Sequence, residues 1–306
     1  MSDIAAPYRV DKKQVKAAFN LAADTYDAVA VLQHEVGRRM LERLEFIRID
    51  PRWIVDIGSG TGRNSRALIN RYKSSKLLAV DLAQSMLRQA RHQTGRWQRW
   101  RRRQHWVCGD AENLPLRARC ADLLFSSLTL QWCSNLEQTF GEFHRVLQPG
   151  GLLMFSSFGP DTLRELRHSW QVVDQYNHVN AFIDMHDIGD ALLRAGFADP
   201  VMDVEHITLT YPDIRQLMRE LKAIGAHNVT AGRPRGLTGR RKLQALASAY
   251  EAYRRDGKLP CTYEVVYGHA WVPLHQDTRQ ARDGEVRIPL SSLRSGGGSR
   301  DQEPRR

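Results

Sequence analysis

The stretch Trp53 to Arg63, WIVDIGSGTGR, constrains the fold more than any other part of the chain. A short apolar run ends in an acid, and three glycines then alternate with small residues before a helix that the pattern predicts to begin at Arg63. Glycine lets backbone turn sharply and lets a ligand come close, and a helix start offers unpaired N–H groups. The stretch therefore reads as a strand, a tight turn and a helix start, with something polar and extended seated on the turn. A dinucleotide fingerprint requires G-x-G-x-x-G, whereas Gly58, Gly60 and Gly62 give G-x-G-x-G and put Arg63 where the last glycine should stand. Asp56, just ahead of the turn, would repel a pyrophosphate and suits an ammonium group.

This pattern resembles the first motif of class I S-adenosylmethionine-dependent methyltransferases, in which the acid and the glycine turn hold the methionine end of the cofactor. The resemblance implies Asp56, Gly58, Gly60 and Gly62 as cofactor residues. Downstream, Lys76 to Asp81 (KLLAVD) reads as a second strand ending in an acid. Asp81 falls about where nucleotide-binding α/β folds put a carboxylate that accepts both ribose hydroxyls. A helix follows from Ala83 to Arg91, with Leu82 and Met86 placed to flank an adenine ring; plain core is the alternative for Met86. A third strand, His105 to Cys108, ends at Gly109-Asp110-Ala111-Glu112, where a carboxylate can accept a hydrogen from the adenine amino group. The fourth, Ala121 to Ser126, leads into Ser127 and then Gln131-Trp132. These candidates recur at the carboxyl ends of successive strands, where open α/β sheets bind ligands.

The rest of the chain fits the same class. Helical spacing covers Lys12 to Ala23 and Ala28 to Phe46, the second with Val31, Val36, Met40, Leu41 and Leu44 as its buried stripe. The polar joint Asp24-Thr25-Tyr26-Asp27 lies between them, and its aromatic hydroxyl either caps a pocket or only packs. Further strands are expected at Leu152 to Ser157, Val201 to Thr210 and Thr262 to Trp271. The expected fold is α/β and Rossmann-like: a seven-stranded, mostly parallel sheet with an antiparallel last strand. Residues 1–46 form a helical cover and residues 47–275 the methyltransferase domain, with a helical lid inserted at about 212–258. Residues 276–306 form a basic, disordered tail.

A hydrophobic content of 42% suffices for a large core. No run approaches the ~20 apolar residues of a membrane span, and MSDIAAPYRVDKK holds no apolar signal core, so a cytoplasmic protein is expected. The four cysteines are scattered and read as free thiols. His178, Asp184 and His186 read as surface polar groups, and no metal is expected. The net charge of +11 concerns partners. Arg88 to Arg103 holds seven arginines in sixteen residues with Trp97 and Trp100 among them. Such a run suits nucleic acid or an acidic protein, or is a solvated loop.

Four further pieces are more specific: VDKKQVKAAFNLAADTYD, SLTLQWCSNL, LKAIGAHN and LPCTYEVVYG. From about Val10 to Trp271 the chain resembles the malonyl-[acyl-carrier protein] O-methyltransferases of biotin synthesis. The resemblance implies methyl transfer from S-adenosylmethionine to the free carboxylate of malonyl-acyl carrier protein, or of malonyl-CoA, giving the ester that primes pimeloyl synthesis. Asp56, Gly58, Gly60, Asp81 and Asp110 match the family's cofactor positions, and Tyr26 falls in the motif that covers the cofactor. Tyr26, Gln131 and Trp132 are the candidates beside the reacting centre. A carboxylate with an ordinary pKa near ~4 needs no general base at neutral pH. Lys222, His227, Asn228 and Arg233 are the candidates for holding it, and the arginine run is a candidate docking patch for the acidic carrier.

Three rival readings compete. FGPDTL, HDIGDALLRAGF and RRDGKLPCTYEVVYGHAW also resemble respiratory complex I assembly proteins, whose family hydroxylates a protein arginine. A nucleic-acid methyltransferase would carry an Asn/Asp/Ser-Pro-Pro-aromatic motif where this chain has SSLTLQWC, so nucleic acid is not the expected substrate. A non-catalytic binding module would have been favoured by loss of Asp56 or Asp81, and both are present. A monomer is one state consistent with the chain.

Overall fold

The computed structural model describes residues 10–95, 103–226 and 239–274. Seven strands form one sheet: β1 Trp53–Ile57, β2 Lys76–Asp81, β3 Gln104–Cys108, β4 Ala121–Ser127, β5 Leu147–Phe158, β6 Ala198–Tyr211 and β7 Leu259–Trp271. Their spatial order is β3-β2-β1-β4-β5-β7-β6. The first five are mutually parallel. β7 inserts antiparallel between β5 and β6, as expected for the last strand. The central strands β1 and β4 are apolar along most of their length because both of their faces are covered. β6, at the edge, alternates partly buried and exposed residues, and its Asp203 and Glu205 form ion pairs that mark it as a charged edge.

The helices are α1 Lys12–Ala22, α2 Tyr26–Val29, α3 Val31–Arg43, α4 Arg63–Arg71, α5 Gln84–Gln93, α6 Leu136–Val146, α7 Arg164–Val173, α8 Met185–Arg194, α9 Ile214–Ala223 and α10 Arg240–Glu251. Two core clusters lie on opposite faces of the sheet, since neighbouring strand residues such as Ile54 and Val55, or Leu123 and Leu124, fall in different clusters. One face takes Val36 and Met40 of α3, Leu68 of α4, Trp170 of α7 and Tyr250 of α10. The other takes Phe140 and Phe143 of α6 and Ile188 and Leu192 of α8.

The stretch expected as one helix from Ala28 to Phe46 is broken at Ala30, whose ψ of 44° is not helical. The break changes which residue opens the buried stripe. Val31 is 64% exposed and Leu32 is buried in its place, on the same face as Val36 and Met40 four and eight residues on.

Candidate active site

The turn after β1 requires glycine for two separate reasons. Gly58 has φ +67°, and a Cβ there would lie 2.0 Å from Thr129 Oγ1, in the turn after β4. Gly60 has φ +53° but open space around it, so there only the left-handed backbone is at issue. The Gly60 N–H donates to Asp81 Oδ2 at 2.8 Å and the Ala83 N–H donates to Oδ1 at 2.8 Å. Each carboxylate oxygen thus keeps a lone pair for a further donor. Burial pushes the Asp81 carboxyl up to about 6, although these two bonds favour the charged form.

A cavity of about 680 Å³ opens above the carboxyl ends of the strands. One half is polar, with Gly58, Gly60, Asp81, Asp110 and Ser127 in its wall together with Leu82, Met86 and Ala111. The other half is apolar, lined by Phe158, Leu163, Leu166, Trp170, Met218 and Tyr263. Tyr26, Gln131 and Trp132 line the same cavity. Gln131 donates from Nε2 to the Leu128 carbonyl at 2.6 Å, while its Oε1 is buried without a partner. Leu128 and Leu163, both in the wall, hold the left-handed backbone at φ +50° and +58° without being glycine. Such strain persists where surrounding structure fixes it, and it clusters at functional sites.

The N-terminal helices close the polar half. Lys12 Nζ bridges Asp110 at 2.8 Å and Glu112 at 2.7 Å. Asn20 accepts from the Ser85 N–H at 2.8 Å, and Asp27 accepts from Thr61 at 2.6 Å and Gln93 at 2.7 Å. Phe19 meets Trp132 edge-on at 5.3 Å, and with Tyr26 it packs against Ala22, Ala23, Ala83 and Met86. Burial, with Asp81 and Asp27 nearby, holds the Tyr26 phenol above its ordinary range, so it stays protonated.

Three residues expected at the ligand stand behind it. Asp56 is 1% exposed and outside the cavity wall; its Oδ2 accepts from Ser65 at 2.5 Å. Burial raises its carboxyl to about 7, with Ser65 opposing and Asp81 adding to the shift. An acid inside the first strand faces the following helix, so the sheet's own pleat turns it away from an ammonium group. Gly62 caps α4 with φ +78°, and a Cβ there would lie 2.9 Å from the Ala90 Cβ of α5. Its place is helix packing. Glu112 accepts from the backbone N–H groups of Ser134 and Asn135 at 2.8 and 2.7 Å and so ties two loops together.

Lys222 lines the cavity at its exposed rim on α9, beside Arg219, which the sequence reading did not single out. Neither forms an ion pair among the described residues. His227, Asn228 and Arg233 lie outside the described residues, as do Trp97 and Trp100. Arg103 donates to the carbonyls of Ser75 and Tyr72 at 3.0 and 2.7 Å, a structural clamp rather than a free docking cation. His178 pairs with Asp174 and His186 with Asp184, each at 2.7 Å. Lys12, Arg219 and the wall from Phe158 to Phe182 were missed; the spacing of Arg219 and Lys222, three apart beside Met218 and Leu221, was the available signal.

Residues 55–155 match the methyltransferase-domain family. The chain is 52% identical over 284 residues to a malonyl-[acyl-carrier protein] O-methyltransferase of Gallionella capsiferriformans, covering 92% of this chain and 97% of that one. It is 54% identical over 269 residues to one of the same name from a Methylovorus species, covering 87% and 90%. Among solved structures, a putative methyltransferase of Bacillus halodurans aligns with TM-score 0.55 at 18% identity, over 78% of this chain and 98% of that one. The YcgJ protein of Bacillus subtilis aligns with TM-score 0.56 at 13% identity, over 78% and 99%. These two likenesses establish the fold.

Proposed function

The chain belongs to the malonyl-[acyl-carrier protein] O-methyltransferase family, and from that premise we propose that it methylates the free carboxylate of a malonyl thioester on acyl carrier protein, using S-adenosylmethionine. The observation that carries this reading is the single cavity with a polar glycine-turn half and an apolar half. Its volume lies within the roughly 300–1,000 Å³ of small-molecule sites.

The residues present fit the cofactor. The free lone pairs of Asp81 suit the two ribose hydroxyls, Met86 and Leu82 suit the adenine faces, and Asp110 suits the exocyclic amine. The open turn at Gly60 leaves room for the methionine end, and the unpartnered Gln131 oxygen suits its ammonium hydrogens. Bound there, the cofactor supplies an activated methyl group. Asp56 acts through Ser65, holding α4 against β1, and is a positioning residue. Tyr26 and Trp132 cover the reacting centre and exclude water.

The acceptor is ionised at neutral pH, so the chain need only orient it. With the cofactor held by these residues, the oriented carboxylate would be the nucleophile toward its methyl group, and the opposite charges of sulfonium and carboxylate would cancel on transfer. Removing water destabilises both starting charges, so enclosure and alignment lower the barrier. Arg219 and Lys222, at the rim of the apolar half, receive the carboxylate. The same reading makes the described residues 10–46 the cover of the cofactor half and the described parts of about 212–258 the acceptor-side lid.

Release of S-adenosylhomocysteine tests this directly. Turnover is expected with a malonyl thioester and not with an acetyl thioester; equal turnover with both would overturn the carboxylate as acceptor.

A further inference from the structure

A second cavity of about 260 Å³ lies beside the first, lined by Gln171 of α7 and by Tyr176, Asn177 and Ala181 of the segment that follows it. Trp170, His178, Val179, Asn180 and Phe182 line both cavities, so the two meet across that segment. Asn180 is 9% exposed and its side-chain oxygen has no hydrogen-bond partner among the described residues. A buried amide oxygen without a donor is costly unless something fills the place.

Lys242 ties the start of α10 to the segment that lines the outer cavity, and exposed apolar residues stand on the joined elements. Val172 is 78%, Tyr176 56% and Leu243 44% exposed. Lys242 Nζ sits 5.6 Å from the Tyr176 ring centroid and 2.8 Å from Asp174. Arg240, Arg241 and Lys242 occupy the first turn of α10, which holds no acidic residue. Cations at a helix N-terminus oppose the helix dipole. Helix stability therefore gives no reason for this triplet.

We propose that this face, formed by the end of α7, the segment Asp174 to Phe182 and the first turn of α10, docks the acidic carrier protein, and that the outer cavity admits its thiol arm. The proposal rests on the functional reading above. An apolar centre with a cationic rim suits a transient, charge-steered contact with an acidic partner. The arm passes Asn180, whose free oxygen accepts from one of its amide N–H groups, and delivers the malonyl end to the main cavity. Of the arginine run, Arg88 and Arg91 lie on α5 and Arg103 clamps carbonyls before β3, while Arg96, Arg99, Arg101 and Arg102 lie outside the described residues.

The test compares malonyl-acyl carrier protein with malonyl-pantetheine, which carries the same arm without the protein. Arg240→Glu with Arg241→Glu should lower kcat/KM for the carrier substrate about tenfold or more and change it less than about twofold for malonyl-pantetheine. Raising ionic strength on the unaltered protein should weaken only the carrier substrate. Asn180→Leu should lower kcat/KM for both substrates and leave cofactor affinity unchanged. An unaffected carrier substrate, or equal losses on both from the charge reversal, would overturn the docking face. Failure of the unaltered protein to methylate either would instead overturn the functional reading, and the docking face with it.

Discussion

At the scale of single residues, Asp81 carries the most. Its carboxyl titrates near 6 in the folded protein, because it is buried, against about 3.9 in an unfolded chain. The folded state therefore holds the proton more tightly, and the stability this confers, complete below about pH 4, is lost as pH rises through 6. Ribose hydroxyls donate to the ionised form, so cofactor binding expels that proton. Cofactor affinity measured by titration calorimetry should rise about tenfold between pH 5 and 7 and then level off. A flat profile would show that the cofactor does not contact an ionising Asp81. Asp81→Ala should weaken cofactor binding by about 1.5–3 kcal/mol, roughly 10- to 150-fold, the worth of hydrogen bonds to a charged group. Gly58→Ala should abolish cofactor binding and lower the melting temperature, since its methyl would overlap the Thr129 side chain at a left-handed backbone position. The position of Asp81 at the end of β2, in the cavity wall, was legible because a strand ending in an acid announces its place. Asp56 looked equally exposed to a ligand in the sequence. Its partner Ser65 lies nine residues on, and only the packing of α4 reveals it.

At the scale of elements, the first helices and α9 close the cavity from two sides. α1 is fastened by Lys12 between Asp110 and Glu112, both on the loop after β3. Lys12→Ala should loosen that cover, raising the cofactor dissociation rate in stopped-flow measurements while leaving the overall fold by circular dichroism unchanged. An unchanged rate would mean that the aromatic contacts of Phe19 and Tyr26, with the bonds of Asn20 and Asp27, hold the cover without Lys12. On α9, Arg219→Ala and Lys222→Ala should each lower kcat/KM for malonyl substrates by about 1–1.5 kcal/mol, roughly five- to tenfold. Their exposure at the rim keeps the effect below that of a buried ion pair. Helix and strand positions were legible from periodicity, and so was the helical content between β6 and β7. The wall from Phe158 to Phe182 was not, because residues such as Leu166 and Trp170 read the same whether they fill a core or line an apolar cavity. The pairing of Lys12 is likewise a property of the folded chain, since nothing in KKQVK selects one lysine over the others.

At the scale of the whole molecule, the sheet sets a polar cofactor half beside an apolar acceptor half under one pair of covers. The design needs no general base. The kcat for a malonyl substrate should therefore be nearly flat from pH 6.5 to 8.5 at saturating cofactor, as about 99% or more of an ordinary carboxylate is ionised throughout. A sharp rise across that range would point to a base acting in the chemical step. The number of strands was legible from apolar runs and Pro/Gly breaks, and the antiparallel last strand from the resemblance to the methyltransferase fold; the spatial order of the strands emerges only in the folded chain. The cationic first turn of α10 beside the segment Asp174 to Phe182 was not legible, because only the folded chain brings Lys242 to Asp174 and Tyr176. The most direct measurement incubates the purified protein with S-adenosylmethionine and malonyl-acyl carrier protein and weighs the intact carrier by mass spectrometry. The account requires a gain of one methylene that is absent with the acetyl form; no gain, in protein shown to bind the cofactor, would contradict it.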